Sequence, residues 1–241
     1  MLDPGMPIKV VGVMSSTRVN GNTAVLVREA LKGAAEAGAF TTEMVLADYR
    51  IDFCAGCMRC MAEGRCAQPD DFEDLRSRLT AAQGIILSSP TYAVAPCARM
   101  KALIDRMGLF EYFTSSAFGG KYVAGISTAN RADAARKVAK GLADEFASGI
   151  FQRGYVSGFL GVSSTGNGVA HNTGALRQAH ELGIKLVQDI RSQKTYPLQS
   201  PVAGLMNRFI LKPNFGKVIL NYRETVMKGV YDSLMHRGLL Q

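Results

Sequence analysis

Five short strand-like segments, separated by stretches of helical periodicity, constrain the fold of this chain more than any other feature. The first, Ile8 to Met14, is almost continuously apolar. Such a run suits a strand buried on both faces. Thr41 to Leu46, Gly84 to Ser88, Lys121 to Ser127 and Tyr155 to Val162 are predicted as the other four. Helices are predicted from Asn22 or Thr23 to Ala37, and over Asp70 to Ala82, Cys97 to Met107, Ala132 to Ser148 and Thr173 to Ile190. In the first of these, Val25, Leu26, Ala30, Leu31 and Ala34 share one face, Asn22 or Thr23 supplies the cap, and Gly38 the stop.

Strict alternation places the strands in a mostly parallel sheet covered by helices on both faces. The expected fold is α/β, a flavodoxin-like doubly wound five-stranded parallel sheet of order 2-1-3-4-5. A sheet of this kind binds ligands where loops leave the carboxyl ends of its strands. Residues 1–192 are expected to form this domain, with a cysteine-rich loop, 53–69, after strand two. Residues 193–241 are expected to be a C-terminal extension, a lid or oligomerisation arm. Pro197, Pro201 and Pro213 interrupt the pattern there. Val218 to Met235 then reads as one amphipathic helix, with Ile219, Tyr222, Val226, Val230 and Leu234 along one side.

Ser15, Ser16, Thr17 and Arg18 cut the first apolar run too short for a signal peptide. No apolar stretch approaches the roughly 18 residues of a membrane span. The expected location is cytoplasmic. The formal charge of +8 is not gathered into runs, although residues from Thr195 onward carry six basic side chains against Glu224 and Asp232. With no nucleic-acid recognition motif, a solvated basic surface is the expectation, and nucleic acid is not an expected partner.

The loop after strand one reads SSTRVNGNT. Ser15, Ser16, Thr17, Asn20, Asn22 and Thr23 there surround one cation, Arg18, just before a helix N-terminus. Free N–H groups, hydroxyls and a guanidinium together suit a phosphate. The alternative is a polar turn with a simple cap. The loop has neither the glycine pattern of a dinucleotide fold nor a Walker A lysine, which argues against NAD bound in the Rossmann manner and against ATP.

Four of five cysteines fall within thirteen residues, as Cys54, Cys57, Cys60 and Cys66. Crowding of this kind argues for metal or redox use rather than a secreted disulfide framework. Three successive cysteines at threes are how bacterial ferredoxins hold three corners of a [4Fe–4S] cluster. Zinc, a redox dithiol and unused thiols remain open, although zinc favours two separated knuckles. Cys97 stands apart, and packing is its expected role.

Two of these segments resemble the NADPH-dependent FMN reductase family. Ser15 or Ser16, Arg18, Gly21, Asn22 and Thr23 match its flavin phosphate loop, with Met14 where that pattern has glycine. The segment SSPTYAVAPCARMKALIDR, 88–106, resembles its S-P-x-Y loop and following helix. The resemblance implies FMN as cofactor, with Pro90, Thr91, Tyr92, Ala93 and Val94 against the isoalloxazine ring. It places Thr128 and Asn130 at the ring's pyrimidine side, although the loop after strand four lacks the family's glycine-rich character. The four cysteines before Asp70 and Asp71 resemble the iron–sulfur flavoprotein branch, which implies a [4Fe–4S] cluster on Cys54, Cys57, Cys60 and Cys66.

The function these features imply is an FMN-dependent, electron-transferring oxidoreductase. Its donor would be ferredoxin or NAD(P)H, and its assembly a homodimer or homotetramer. One alternative is an NAD(P)H-dependent FMN or quinone reductase without a cluster. Another is a non-enzymatic flavin-binding interaction module. In all three the cofactor carries the chemistry, so no side chain is assigned as catalytic.

Overall fold

The computed structural model describes residues 7–114, 120–147, 149–152, 154–166, 168–196 and 205–240. Strand β1 (Lys9–Met14) pairs in parallel with β2 (Phe40–Val45) on one side and β3 (Gly84–Tyr92) on the other. The two-residue strand β4 (Ala95–Pro96) folds back antiparallel onto the end of β3. Strands β5 (Tyr122–Ala129) and β6 (Tyr155–Ser163) complete the parallel sheet. The order β2-β1-β3-β5-β6, with β4 off the path, is the expected doubly wound one.

Helices follow as α1 (Asn22–Glu36), α2 (Arg59–Glu63), α3 (Phe72–Ala81), α4 (Ala98–Thr114), α5 (Ala132–Ala147) and α6 (Thr173–Arg191). Successive strand residues alternate between faces. Val10, Ile86, Ala124 and Ile126 meet α1 and α6, whereas Val11, Val13, Ile85, Leu87 and Val123 meet α3, α4 and α5. On the first face the two helices touch backbone to backbone. A Cβ on Gly33 would lie 2.1 Å from the His180 carbonyl oxygen, and one on Gly183 1.8 Å from that of Ala30.

Several boundaries differ from expectation. The segment from Ser89 to Pro96, between the predicted strand and helix, is the end of β3 and a tight return, and α2 forms inside the cysteine loop. Gly21 occupies the cap position of α1, with no side-chain cap from Asn22 or Thr23. Ser148, Pro197 and Pro201 lie outside the described residues.

The segment predicted as one helix from Val218 to Met235 is two, α7 (Lys212–Asn221) and α8 (Lys228–His236). A turn closed by the Met227 N–H on the Tyr222 carbonyl at 3.1 Å separates them. The continuous apolar stripe was misleading because Tyr222 and Val226 are exposed, while Ile219, Val230 and Leu234 are buried. These three join Met61, Ile150 and Phe151 in a separate small core, and α8 packs on α2 and α4. The contact is close: a Cβ on Gly229 would fall 2.2 Å from the Gly64 nitrogen. The described part of the extension thus braces the cysteine loop. No helix among the described residues is long and apolar enough to cross a membrane.

At the amino edge of the sheet, buried Asp189 accepts hydrogen bonds from Lys185 at 2.7 Å and Tyr196 at 2.6 Å. The Tyr122 hydroxyl donates to the Lys194 carbonyl at 3.1 Å, so the chain leaving α6 is held against β5. Burial pushes the Asp189 carboxyl up, but the bonds from Lys185 and Tyr196 outweigh it and hold the group below the usual carboxylate range. Folding therefore favours the ionised form. Its contribution is present at neutral pH and is lost as pH falls through the lowered value. Asp189→Asn is expected to lower the unfolding free energy by about 1.5–3 kcal/mol at neutral pH. That gap should narrow as the solution is taken down to about pH 3. Chemical denaturation of both proteins across this range checks the claim, and a gap independent of pH would exclude the carboxylate charge as its cause.

Candidate functional site

The carboxyl ends of β1, β3 and β5 open into one pocket of about 230 Å³. Ser16, Arg18, Gly21, Asn22 and Thr23 line it from the loop after β1. Pro90, Thr91 and Tyr92 line it from the end of β3, and Thr128, Ala129 and Asn130 from the end of β5. Three segments that are far apart in sequence thus converge. Ser164, after β6, completes the lining and escaped the sequence reading; its one signal was its place just beyond a strand.

Arg18 is exposed and makes no ion pair with another described residue. The Gly21 N–H donates to the Arg18 carbonyl at 2.9 Å and closes the turn that delivers the chain into α1. Without a side-chain cap, the first-turn amides and the positive end of the helix dipole are left for a ligand. Asn22 is engaged elsewhere: its Oδ1 accepts from the Val169 N–H at 3.1 Å and ties in the loop after β6.

Five candidate residues, Thr17 among them, do not line the pocket. Ser15 is buried below it, donating to the Ser88 carbonyl at 2.8 Å and accepting from the Cys97 thiol at 3.1 Å. The Asn20 Oδ1 accepts from Arg28 at 3.2 Å. Ala93 and Val94 form the tip of the β3–β4 hairpin with φ of 48° and 61°. Two central residues with positive φ make a primed turn, usually built from Asn and Gly. A β-branched residue such as Val94 is strained in that region.

Buried hydroxyls hold this edge of the sheet together. Ser88 Oγ donates to the Val13 carbonyl at 2.9 Å, and Ser127 Oγ to the Ser89 carbonyl at 2.6 Å. Since a hydroxyl has one proton, Thr91 is then the donor in its 2.8 Å contact with Ser127. The Cys97 N–H donates to Ser89 Oγ at 2.8 Å. Cys97 itself is buried in the core between the sheet and α4, which agrees with packing as its role.

The cysteine loop is a second site. Gly56, Met58 and Gly64 adopt left-handed backbone, with φ of 62°, 57° and 69°, and turn the chain about its thiols. Cys54 and Cys57 are exposed, Cys60 and Cys66 half-buried, and all are free. Burial first, and then the neighbouring Cys66, Cys57 and Cys54, push the Cys60 thiol up to about 11. The Cys60 sulfur therefore lies within electrostatic reach of the other three. Among the described residues, no three His, Cys, Asp or Glu side chains are gathered closely enough to hold a single metal ion. The donor set, thiols alone, suits a soft, thiolate-bound group.

Cys66 is the most firmly held of the four. Its N–H donates to Glu73 Oε1 at 2.7 Å, and its Sγ accepts from Arg106 Nη2 at 3.1 Å. Arg106 is ion-paired with Asp70, donates to the Asp52 carbonyl at 3.3 Å and lies over the Phe72 ring at 4.2 Å. Arg59 and Arg65 lie within the cysteine motif itself. In the structure Arg59 pairs with Glu63 at 2.7 Å, and Arg106, from a helix forty residues away, is the cation on a cysteine sulfur.

The family model for NADPH-dependent FMN reductase matches residues 8–164. An iron-sulfur flavoprotein of Archaeoglobus fulgidus is 31% identical over 234 residues, spanning 97% of this chain and 100% of its own length. One from Methanocaldococcus jannaschii is 43% identical over 99 residues, 41% of this chain and 51% of its own, so that match spans about half of the relative. Among solved structures, a flavone reductase superposes with a TM-score of 0.61 at 18% identity, covering 76% of this chain and 63% of its own. An archaeal flavodoxin gives 0.50 at 14% identity, covering 76% of this chain and 99% of its own. At such identities the solved structures speak for the fold alone.

The strained hairpin yields a test. Val94→Gly removes the left-handed penalty on a β-branched residue and is expected to stabilise the protein by about 1 kcal/mol. Urea denaturation measures it, and a loss of stability would mean that the Val94 side chain makes contacts worth more than its strain.

Proposed function

Because this chain belongs to the NADPH-dependent FMN reductase family, in its iron–sulfur flavoprotein branch, we propose that its three-loop pocket holds FMN and that its four cysteines hold a [4Fe–4S] cluster. It is a flavin-dependent oxidoreductase. That membership sets aside the alternative of a non-enzymatic module. The observation that carries the proposal is the convergence of Arg18, the uncapped start of α1, the end of β3 and the end of β5 on one pocket.

In this reading Arg18, the Ser16 and Thr23 hydroxyls and the first amides of α1 bind the phosphate. Pro90, Thr91 and Tyr92 hold the flat ring system, with Tyr92 as its aromatic neighbour. Thr128 and Asn130 offer hydrogen bonds at the polar rim. Ser15 and Asn20 support the loop from outside the pocket, and Ala93 and Val94 fix the approach of the β3–β4 hairpin. FMN, when bound, supplies the transfer of electrons in pairs or singly. Cys54, Cys57, Cys60 and Cys66 would hold the one-electron partner. The donor is assigned as ferredoxin or NAD(P)H.

A homodimer or homotetramer completes the reading. It is supported by the exposed Leu205, Met206, Phe209 and Ile210 on the extension. A cytoplasmic location is supported by five free cysteines.

One observation favours a second reading, an NAD(P)H-dependent FMN or quinone reductase without a cluster: the family model matched over residues 8–164 is that of an NADPH-dependent FMN reductase. Anaerobic purification with iron, sulfide and flavin assays separates the two. About four irons and one FMN per chain support the first. Sustained NADPH oxidation by protein that takes up no iron after reconstitution supports the second.

Arg18 tests the flavin site. A charge-assisted hydrogen bond contributes about 1.5–3 kcal/mol. Arg18→Gln is therefore expected to weaken FMN binding by about 10- to 100-fold in a fluorescence titration. The melting temperature of the flavin-free protein should not change, because the side chain is exposed. Unchanged FMN affinity would place the phosphate elsewhere.

A further inference from the structure

We propose that Arg106 is a positioning residue for the cysteine loop that also raises the reduction potential of the group the loop holds; this rests on the cluster reading above. Arg106 sits on α4, outside the cysteine motif, and is only 3% exposed. Its guanidinium reaches both ends of the loop: the Asp52 carbonyl at the entry and Cys66 Sγ at the exit. Asp70, its ion-pair partner, also accepts from the Asp52 N–H at 2.8 Å. One buried pair thus closes the loop at its base, with Phe72 stacked against it.

Stability alone is a poor account of this arrangement. A buried ion pair is often no more stabilising than apolar side chains of the same volume. Here the pair is also imperfect as a structural bond, since Arg106 Nε is buried without a hydrogen-bond partner. The feature that an apolar replacement could not supply is the N–H on sulfur. Among the described residues, none of Cys54, Cys57 and Cys60 receives a side-chain hydrogen bond at its sulfur. Each electron added to a thiolate-bound cluster adds negative charge. A cation and hydrogen-bond donor on one ligand sulfur stabilises the reduced state more than the oxidised one, and so raises the potential.

The test uses the full-length protein, reconstituted anaerobically with iron and sulfide, as wild type, Arg106→Lys, Arg106→Gln and the double variant Asp70→Asn with Arg106→Gln. The double variant leaves neither buried charge alone, and so carries the test if Arg106→Gln does not fold. Iron retention against a chelator and an EPR-monitored redox titration are the readouts, with the flavin couple in the same sample as internal reference. The expected result is iron retention weakened by about 10- to 100-fold. The cluster potential should be lowered in the Gln variants and intermediate in Arg106→Lys, with the flavin couple unmoved. An iron-loaded Gln variant with the wild-type cluster potential overturns the proposal and leaves the cluster reading standing. A shift of both couples together also overturns it, because that marks general disturbance. Wild-type protein that takes up no iron overturns the cluster reading and this proposal with it.

Discussion

Buried serine hydroxyls at the carboxyl ends of β1, β3 and β5 bond to carbonyls of the neighbouring strand, in addition to the backbone ladder. Ser15 and Ser88 lace β1 to β3, and Ser127 laces β5 to β3, each bond at 2.9 Å or less. The Cys97 amide and thiol extend the lacing to the start of α4. A buried hydroxyl left without a partner costs roughly 1–3 kcal/mol, so these bonds fix where each loop leaves the sheet. The walls of the pocket inherit their positions from that network.

Helix α4 carries the same order to the second site. It begins beside the serine network and, nine residues after Cys97, presents Arg106 beneath Cys66. At 1.5 Å per residue that is about 13 Å of rigid helix. The cysteine loop has little core of its own, since Cys54 and Cys57 are exposed and Met61 is the one buried residue of α2. It is held from below by the Arg106–Asp70 pair and from the side by α8, whose Gly229 permits backbone contact with Gly64. The extension is therefore continuous with the machinery of the cysteine loop. None of its described residues lines the pocket at the ends of β1, β3 and β5.

Much of this was legible because local patterns and global fold agree. Val10, Val11 and Val13 read as a buried strand, the alternation of elements implied parallel order, and parallel order implied that loops 15–22, 90–94 and 128–130 would share one edge. The misreadings share a cause. Ser89 to Tyr92 looks like a loop because of Pro90, yet it extends β3, and its return passes through left-handed Ala93 and Val94, residues that do not announce a turn. Tyr222 and Val226 fit a helical stripe but face solvent between two helices.

The sequence by itself determined the elements, their order and the chemical character of each loop, since periodicity and residue type act over a few neighbours. It also carried the four cysteines as a set, because they lie within thirteen residues. Which side chains meet across long separations was decided only by the tertiary structure. Arg106 meets Cys66 forty residues away, Asn22 meets Val169, and Gly229 meets Gly64. Such contacts depend on the register of the sheet and on how closely helices pack against it, and these follow from burial of the whole core rather than from any local preference.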